Sequence, residues 1–153
     1  NRTKFKHWGT PVDYLDPDKQ RKWIYEAMKF KAAIWKIVGK KQSPAIVIEH
    51  PGADTIPTSV FVCDNNGMVV LCGATSSYFA SVDLRYLWIG QRRLQGCHSG
   101  AEEDFDKYLK FMAEYKIKQP IGHIFSWSEV PLAHQLAYED KSYYGKNVIR
   151  IVP

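Results

Sequence analysis

The side chains in this sequence with the chemistry to do more than pack are five histidines, three cysteines and a scatter of arginines. None of His7, His50, His98, His123 and His134 has a second His or a Glu at the spacing that places two ligands on one helix face, so no metal site is expected. His134 falls in an amphipathic run and His123 begins an extended one, where packing or capping accounts for a histidine. His98 differs. It ends an apolar run between Cys97 and Ser99, where a neutral imidazole could donate a hydrogen bond to a carboxylate or polarise a bound water. The competing reading is a histidine held in place by hydrogen bonds of its own. Cys63, Cys72 and Cys97 lie in or beside apolar runs without metal-ligand spacing, and read as buried free thiols of a reducing cytosol.

Residues 45–99 must position these groups. The stretch contains three short apolar runs, Ile46-Val47-Ile48-Glu49-His50, Met68-Val69-Val70-Leu71-Cys72 and Leu94-Gln95-Gly96-Cys97-His98, each ending at Gly, Pro or a small polar residue. Continuous runs rich in Val and Ile suit strands buried on both faces of a parallel sheet. Ligands of such sheets sit in the crevice at the carboxyl ends of the strands, and a Gly or Ala there lets a flat ring or a phosphate approach the backbone. Strands are expected over 46–50, 69–73 and 94–98, with short helices over 55–64 and 83–90 between them.

Ahead of this stretch, Asp16-Pro17 supplies an N-cap oxygen and a proline at the first helical position. Trp23, Ala27, Phe30, Ile34, Ile37 and Val38 then recur at helical spacing, and the reading is a helix over 18–38 that Gly39 stops, its apolar stripe packed in a core. Asp64-Asn65-Asn66-Gly67 is a turn. Further on, 101–116 reads as a helix with Glu102, Glu103 and Asp104 in its first turn. Residues 123–127 are extended, Ser128 caps a helix over 129–140, and 148–152 is a closing strand. Residues 1–9 are basic, aromatic and too short for an independent element, and 11–17 form a loop. The expected fold class is α/β: a parallel sheet with flanking helices, followed by a C-terminal helix and strand.

With 45% hydrophobic and 24% charged residues the chain has an ordinary globular balance, and no apolar run is long enough to cross a bilayer. The net charge of +5 is spread along the chain without a nucleic-acid-binding motif, so a basic surface facing an anionic small ligand is the better account.

Ile48-Glu49-His50-Pro51-Gly52, the run 56–63, Val70-Leu71-Cys72-Gly73-Ala74-Thr75 and Asp83-Leu84-Arg85-Tyr86-Leu87-Trp88 together resemble the crotonyl-CoA carboxylase/reductases, in the medium-chain dehydrogenase/reductase superfamily. Ala133-His134-Gln135-Leu136 and the run 145–151 fit the superfamily's ending. The resemblance implies an NADPH-dependent enoyl-CoA reductase in the cytoplasm, with an acyl-CoA substrate, possible use of carbon dioxide, and a homo-oligomeric complete enzyme. It implies that Glu49, His50, Cys72, Gly73, Ala74 and Thr75 line the nicotinamide and its ribose, largely through backbone groups. It puts His98 where carboxylating members hold carbon dioxide beside the nicotinamide, although Ser99-Gly100-Ala101 replaces their usual Phe-Ala-Asn. Arg85, Arg92 and Arg93 become candidates for coenzyme A phosphates, Arg85 foremost, against the default of solvated surface.

Set against that family, the Gly-rich turn of a dinucleotide fold is missing, since no G-x-G-x-x-G occurs. The expectation is a fragment, or one of two pieces of a cleaved or split enzyme, whose N-terminal half supplies that turn. The resemblance then implies that residues 1–116 are a partial nucleotide-binding domain, the second half of a Rossmann-type parallel sheet with flanking helices but without the Gly-rich turn. It implies that 117–153 are the C-terminal part of the substrate domain, a helix and strand returning to it. A reductase of quinones or small enones, and a non-catalytic half-domain serving as an assembly partner, remain open alternatives.

Overall fold

A computed structural model describes residues 15–139 and 141–152. The opening basic segment and most of the 11–17 loop lie outside the described residues. The chain divides into two compact units, one ending at Ser99 and the other starting at Gly100.

In the first unit, α1 (Pro17–Val38) starts where Asp16-Pro17 dictates: Asp16 Oδ1 accepts from the backbone N–H of Asp18 at 2.9 Å and of Lys19 at 3.3 Å. It stops at Gly39, whose φ of 79° closes the last turn. Three parallel strands follow, β1 (Ile46–Glu49), β2 (Met68–Leu71) and β3 (Arg93–Gly96), in the order β1-β2-β3. Two short helices, α2 (Ile56–Val62) and α3 (Leu84–Trp88), are the crossovers. The register is in step throughout: Val47 faces Val69, which faces Leu94.

Helix α2 is buried almost all round, because α1, α3 and the sheet enclose it. Phe61 sits between Trp23 of α1 and Tyr86 of α3, with ring centroids 5.5 and 5.0 Å away, both edge-on. The Trp23 indole N–H donates to Thr58 Oγ1 at 3.0 Å, tying α1 to α2 in the dry interior. The Arg92 guanidinium fastens the other ends of the helices, donating to the carbonyls of Cys63 (2.9 Å), Asp64 (3.3 Å) and Tyr86.

Four expectations change. Burial of the strands on both faces does not hold within this unit: Ile46 and Ile48 are 64% and 68% exposed, because α2 and α3 cover only the face carrying Val47, Val69 and Leu71. The core stripe of α1 ends early; Trp23 and Ala27 are buried, but Ile37 and Val38 lie past the reach of α2 and are exposed. Of the cysteines only Cys63, under α2, is buried, while Cys72 and Cys97 sit beyond strand ends and are exposed. Arg92 is a part-buried staple rather than solvated surface.

The second unit holds α4 (Glu102–Glu114), β4 (Ile121–Ser126), α5 (Val130–Tyr138) and β5 (Lys146–Arg150), with β4 and β5 parallel. This unit begins at Gly100 and so includes α4. Ser126, not Ser128, begins the turn into α5: its N–H and hydroxyl donate to Glu129 Oε2 at 2.8 and 2.7 Å. β5 lies two residues earlier than 148–152, since its ladder begins where Lys146 N–H meets the Pro120 carbonyl at 2.7 Å.

Candidate functional site

At the carboxyl ends of β2 and β3 a cavity of about 470 Å³ opens, lined by Leu71, Cys72, Gly73, Ala74, Gly96, Cys97 and His98. The ladder carries the two strands to its mouth, where Cys97 N–H donates to the Leu71 carbonyl at 2.8 Å. Gly96 projects no side chain, and a Cβ built there would meet nothing within 4 Å. The floor is therefore backbone and small side chains, which suits a flat ring lying across strand ends. Cys72, Gly73, Ala74 and His98, four of the expected site residues, are brought together here.

His98 lies two residues past the end of β3, exposed, with Nδ1 3.0 Å from the Ser99 hydroxyl. If Ser99 engages Nδ1, Nε2 is free to face a ligand, so the neighbour that departs from the family pattern also orients the ring. His50 does not line the cavity; its ring lies against Gly73, where an added Cβ would come within 3.1 Å of Cδ2. Thr75 is exposed on the loop beyond the cavity.

Glu49 ends β1 with a side chain only 2% exposed. Oε1 accepts from the Gly52 N–H at 3.0 Å and the Thr55 hydroxyl at 2.6 Å, and Oε2 accepts from the Ser59 hydroxyl. A buried carboxylate needs such donors. Gly52, Thr55 and Ser59 were not singled out from the sequence, because a Glu that ends a Val/Ile run does not by itself show which neighbours donate to it.

That turn is stitched to the loop after β2. The N–H of Ser76 donates to the Pro51 carbonyl at 2.8 Å, its hydroxyl donates to the same carbonyl at 2.7 Å, and Asp54 N–H donates to Ser76 Oγ at 3.1 Å. Gly52 pairs with Ser77 in a one-residue parallel bridge. With φ at +90° and its missing Cβ within 2.9 Å of the Ala74 Cα, position 52 admits only glycine without strain.

Arg85 is placed elsewhere. It lines a separate cavity of about 330 Å³ with Asn65, Tyr86, Ile89, Gly90 and Arg92, near the amino-terminal ends of β2 and β3. Its guanidinium grips Asp83 in a two-pronged ion pair, with Nη2 2.6 Å from Oδ2 and Nε 3.0 Å from Oδ1. The hydrogen bonds from Arg85 hold the Asp83 carboxyl below its ordinary pKa.

Residues 13–114 match the family model described as zinc-binding dehydrogenase. Among the described residues no group of three or more His, Cys, Asp or Glu side chains could hold a metal ion. A crotonyl-CoA carboxylase/reductase from Cereibacter sphaeroides is 35% identical over 99% of this chain, which spans 35% of that relative's length. A crotonyl-CoA reductase from Streptomyces avermitilis is 30% identical over 69% of this chain, or 24% of the relative. The solved crotonyl-CoA carboxylase/reductase AntE in complex with NADP superposes with a TM-score of 0.88 at 38% identity, covering 97% of this chain and 37% of that one. The chain thus spans about a third of the length of the curated carboxylase/reductase it matches.

Proposed function

Because this chain belongs to the zinc-binding dehydrogenase family, we propose that it is part of an NADPH-dependent enoyl-CoA reductase that converts crotonyl-CoA to ethylmalonyl-CoA by reductive carboxylation. The observation that carries the reading is the likeness, along nearly the whole chain, to a carboxylase/reductase solved with NADP. Support from this chain's own geometry is the small-residue crevice at the ends of β2 and β3. NADPH, when bound, supplies a hydride to the β-carbon of the enoyl thioester.

Cys72, Gly73, Ala74 and Thr75 hold the nicotinamide and its ribose through backbone groups; His50 backs the crevice by lying against Gly73, and Glu49, buried behind it, makes no contact with the cofactor. The resulting enolate needs carbon dioxide beside it, and His98 Nε2 orients that molecule directly or through a water while Ser99 steadies the ring. Arg85 contacts a phosphate of the acyl-CoA, for which it exchanges its ion pair with Asp83. Residues 1–116 serve the nucleotide, an extent the family match to residue 114 supports, and 117–153 belong to the substrate domain. The Gly-rich turn comes from the N-terminal half of the enzyme, in the same polypeptide or a separate one. The complete enzyme is a cytoplasmic homo-oligomer, a reading that rests on the likeness to the carboxylase/reductases. Among the described residues no helix is long and apolar enough to cross a membrane.

Ser99-Gly100-Ala101, standing where carboxylating members carry Phe-Ala-Asn, favours a second reading in which the enolate takes a proton and the enzyme is a plain enoyl-CoA reductase. One assay separates the two. The complete enzyme is given crotonyl-CoA, NADPH and bicarbonate, and the ratio of ethylmalonyl-CoA to butyryl-CoA is measured. Ethylmalonyl-CoA as the main product supports carboxylation. Butyryl-CoA alone establishes the simple reductase, and no turnover of either kind removes both readings.

A further inference from the structure

Glu49 carries a carboxylate that the proposed chemistry does not use and that no bound molecule could touch, since it is 2% exposed. All three donors around it come from the ten residues that follow: Gly52 N–H, the Thr55 hydroxyl and the Ser59 hydroxyl. The carboxylate therefore folds the turn after β1 around itself. The same turn is bound to the loop after β2 by Ser76, which bonds both Pro51 and Asp54, and by the Gly52–Ser77 bridge. Gly52 abuts Ala74 and His50 abuts Gly73. Gly73 and Ala74 are the backbone floor of the crevice. A continuous path of short contacts thus runs from the buried carboxylate to the surface on which a ring would lie.

We infer that Glu49 is a positioning residue: through the turn at 50–55 and the stitch at Ser76 it sets the height of the Gly73-Ala74 backbone under the nicotinamide. The inference rests on the proposed NADPH site. A ring held a fraction of an ångström off its seat still binds weakly but transfers hydride poorly, because near-attack geometry is steep in distance. Glu49 acts on kcat and on NADPH affinity, and leaves the acyl-CoA subsite alone.

The test uses the complete enzyme with Glu49→Ala, Glu49→Gln and Ser76→Ala. The glutamine keeps an oxygen for Gly52 and Thr55 and turns its amide to the Ser59 oxygen, so it rescues the geometry. Ser76→Ala cuts the stitch at an exposed site and keeps the measurement open if Glu49→Ala fails to fold. Amide hydrogen exchange reads the geometry: Gly52 and Ser76 lose protection in Glu49→Ala, and Ser76 in Ser76→Ala, while Met68 and Cys72 within the ladder keep theirs. Kinetics read the function: in both alanine variants kcat and NADPH affinity fall about tenfold, a change equivalent to about 1.4 kcal/mol. KM for crotonyl-CoA stays constant, and Glu49→Gln returns to within about threefold of the parent. Loosened amides with unchanged kcat and NADPH affinity overturn the inference, as does a fall in kcat that Glu49→Gln shares in full. A parent enzyme that does not bind NADPH overturns the proposed function instead, and is recognised before any variant is made.

Discussion

At the scale of single residues, His98 decides between the two chemistries. Replacing His98 with Asn keeps a polar side chain, removes the ring and shifts the donor. Hydride transfer does not use that donor, so reduction of crotonyl-CoA should continue while the carboxylated fraction falls. A well-placed hydrogen bond to charge forming in a dry site is worth about 2.7–4 kcal/mol, or roughly 100- to 1,000-fold. A product ratio unchanged by the substitution, in an enzyme that carboxylates, would make His98 structural. Cys63 makes a second prediction. Burial pushes its thiol pKa above the ordinary value, with Arg92 acting weakly against that. A raised acid pKa means the unfolded chain loses this proton first as pH rises, so the folded state loses stability from the ordinary thiol range, roughly pH 8.5, upward. Over that range iodoacetamide should label the exposed Cys72 and Cys97 while Cys63 stays unmodified; mass spectrometry of the peptides reads this directly. Labelling of all three at equal rates would contradict the burial.

At the scale of elements, the first unit depends on three helices meeting at one aromatic ring. Phe61 joins Trp23 and Tyr86, and Lys31 lies over its outer face with Nζ 5.5 Å from the ring centroid. Phe61→Ala should cost about 3–5 kcal/mol, the range for truncating a buried aromatic. The denaturant midpoint should fall accordingly, and a loss below about 1 kcal/mol would mean the helices are held by other contacts. The same elements show what the sequence could and could not reveal. Asp16-Pro17 and Gly39 specify the ends of α1 because capping is local. Glycine and proline punctuation located β1, β2 and β3 within a residue or two. Exposure of Ile37, Ile46 and Ile48 was illegible, because periodicity shows which residues share a face but not whether a neighbour reaches it. Ser128 was expected as the cap, but Ser126 has Glu129 three residues on, the capping-box spacing that Ser128 lacks, and Glu129 Oε2 reaches back to it. In the site, the small-residue floor was legible as chemistry. The Glu49 turn was not, since a strand-ending carboxylate reads equally as a ligand or as its own scaffold until its donors are seen.

At the scale of the whole molecule, the crevice offers a seat for one end of a dinucleotide only. The pyrophosphate of such a cofactor is held by the amides of a Gly-rich turn at a helix N-terminus. These 153 residues contain no G-x-G-x-x-G. Among the described residues of the first unit, β1 is also an edge strand, with a groove of about 420 Å³ beside it lined by Phe30, Ile34, Ile46, Val47, Ile48 and Val62. An open edge next to an apolar groove is where a further parallel strand would add, and the strand before a Gly-rich turn is of that kind. The expected result is that the 153-residue chain alone binds NADPH at least about a hundredfold more weakly than the same chain joined to the half of the enzyme that carries the turn. Two charged hydrogen bonds lost, at about 1.5–3 kcal/mol each, suffice for that factor. Titration of NADPH fluorescence against each preparation measures it, and the exposure of Ile46 and Ile48 to solvent, read by hydrogen exchange along β1, should fall in the joined form. Binding by the isolated chain as tight as by the joined one would show that the crevice at β2 and β3 suffices by itself, and that the turn supplied from outside these residues is not what holds the cofactor.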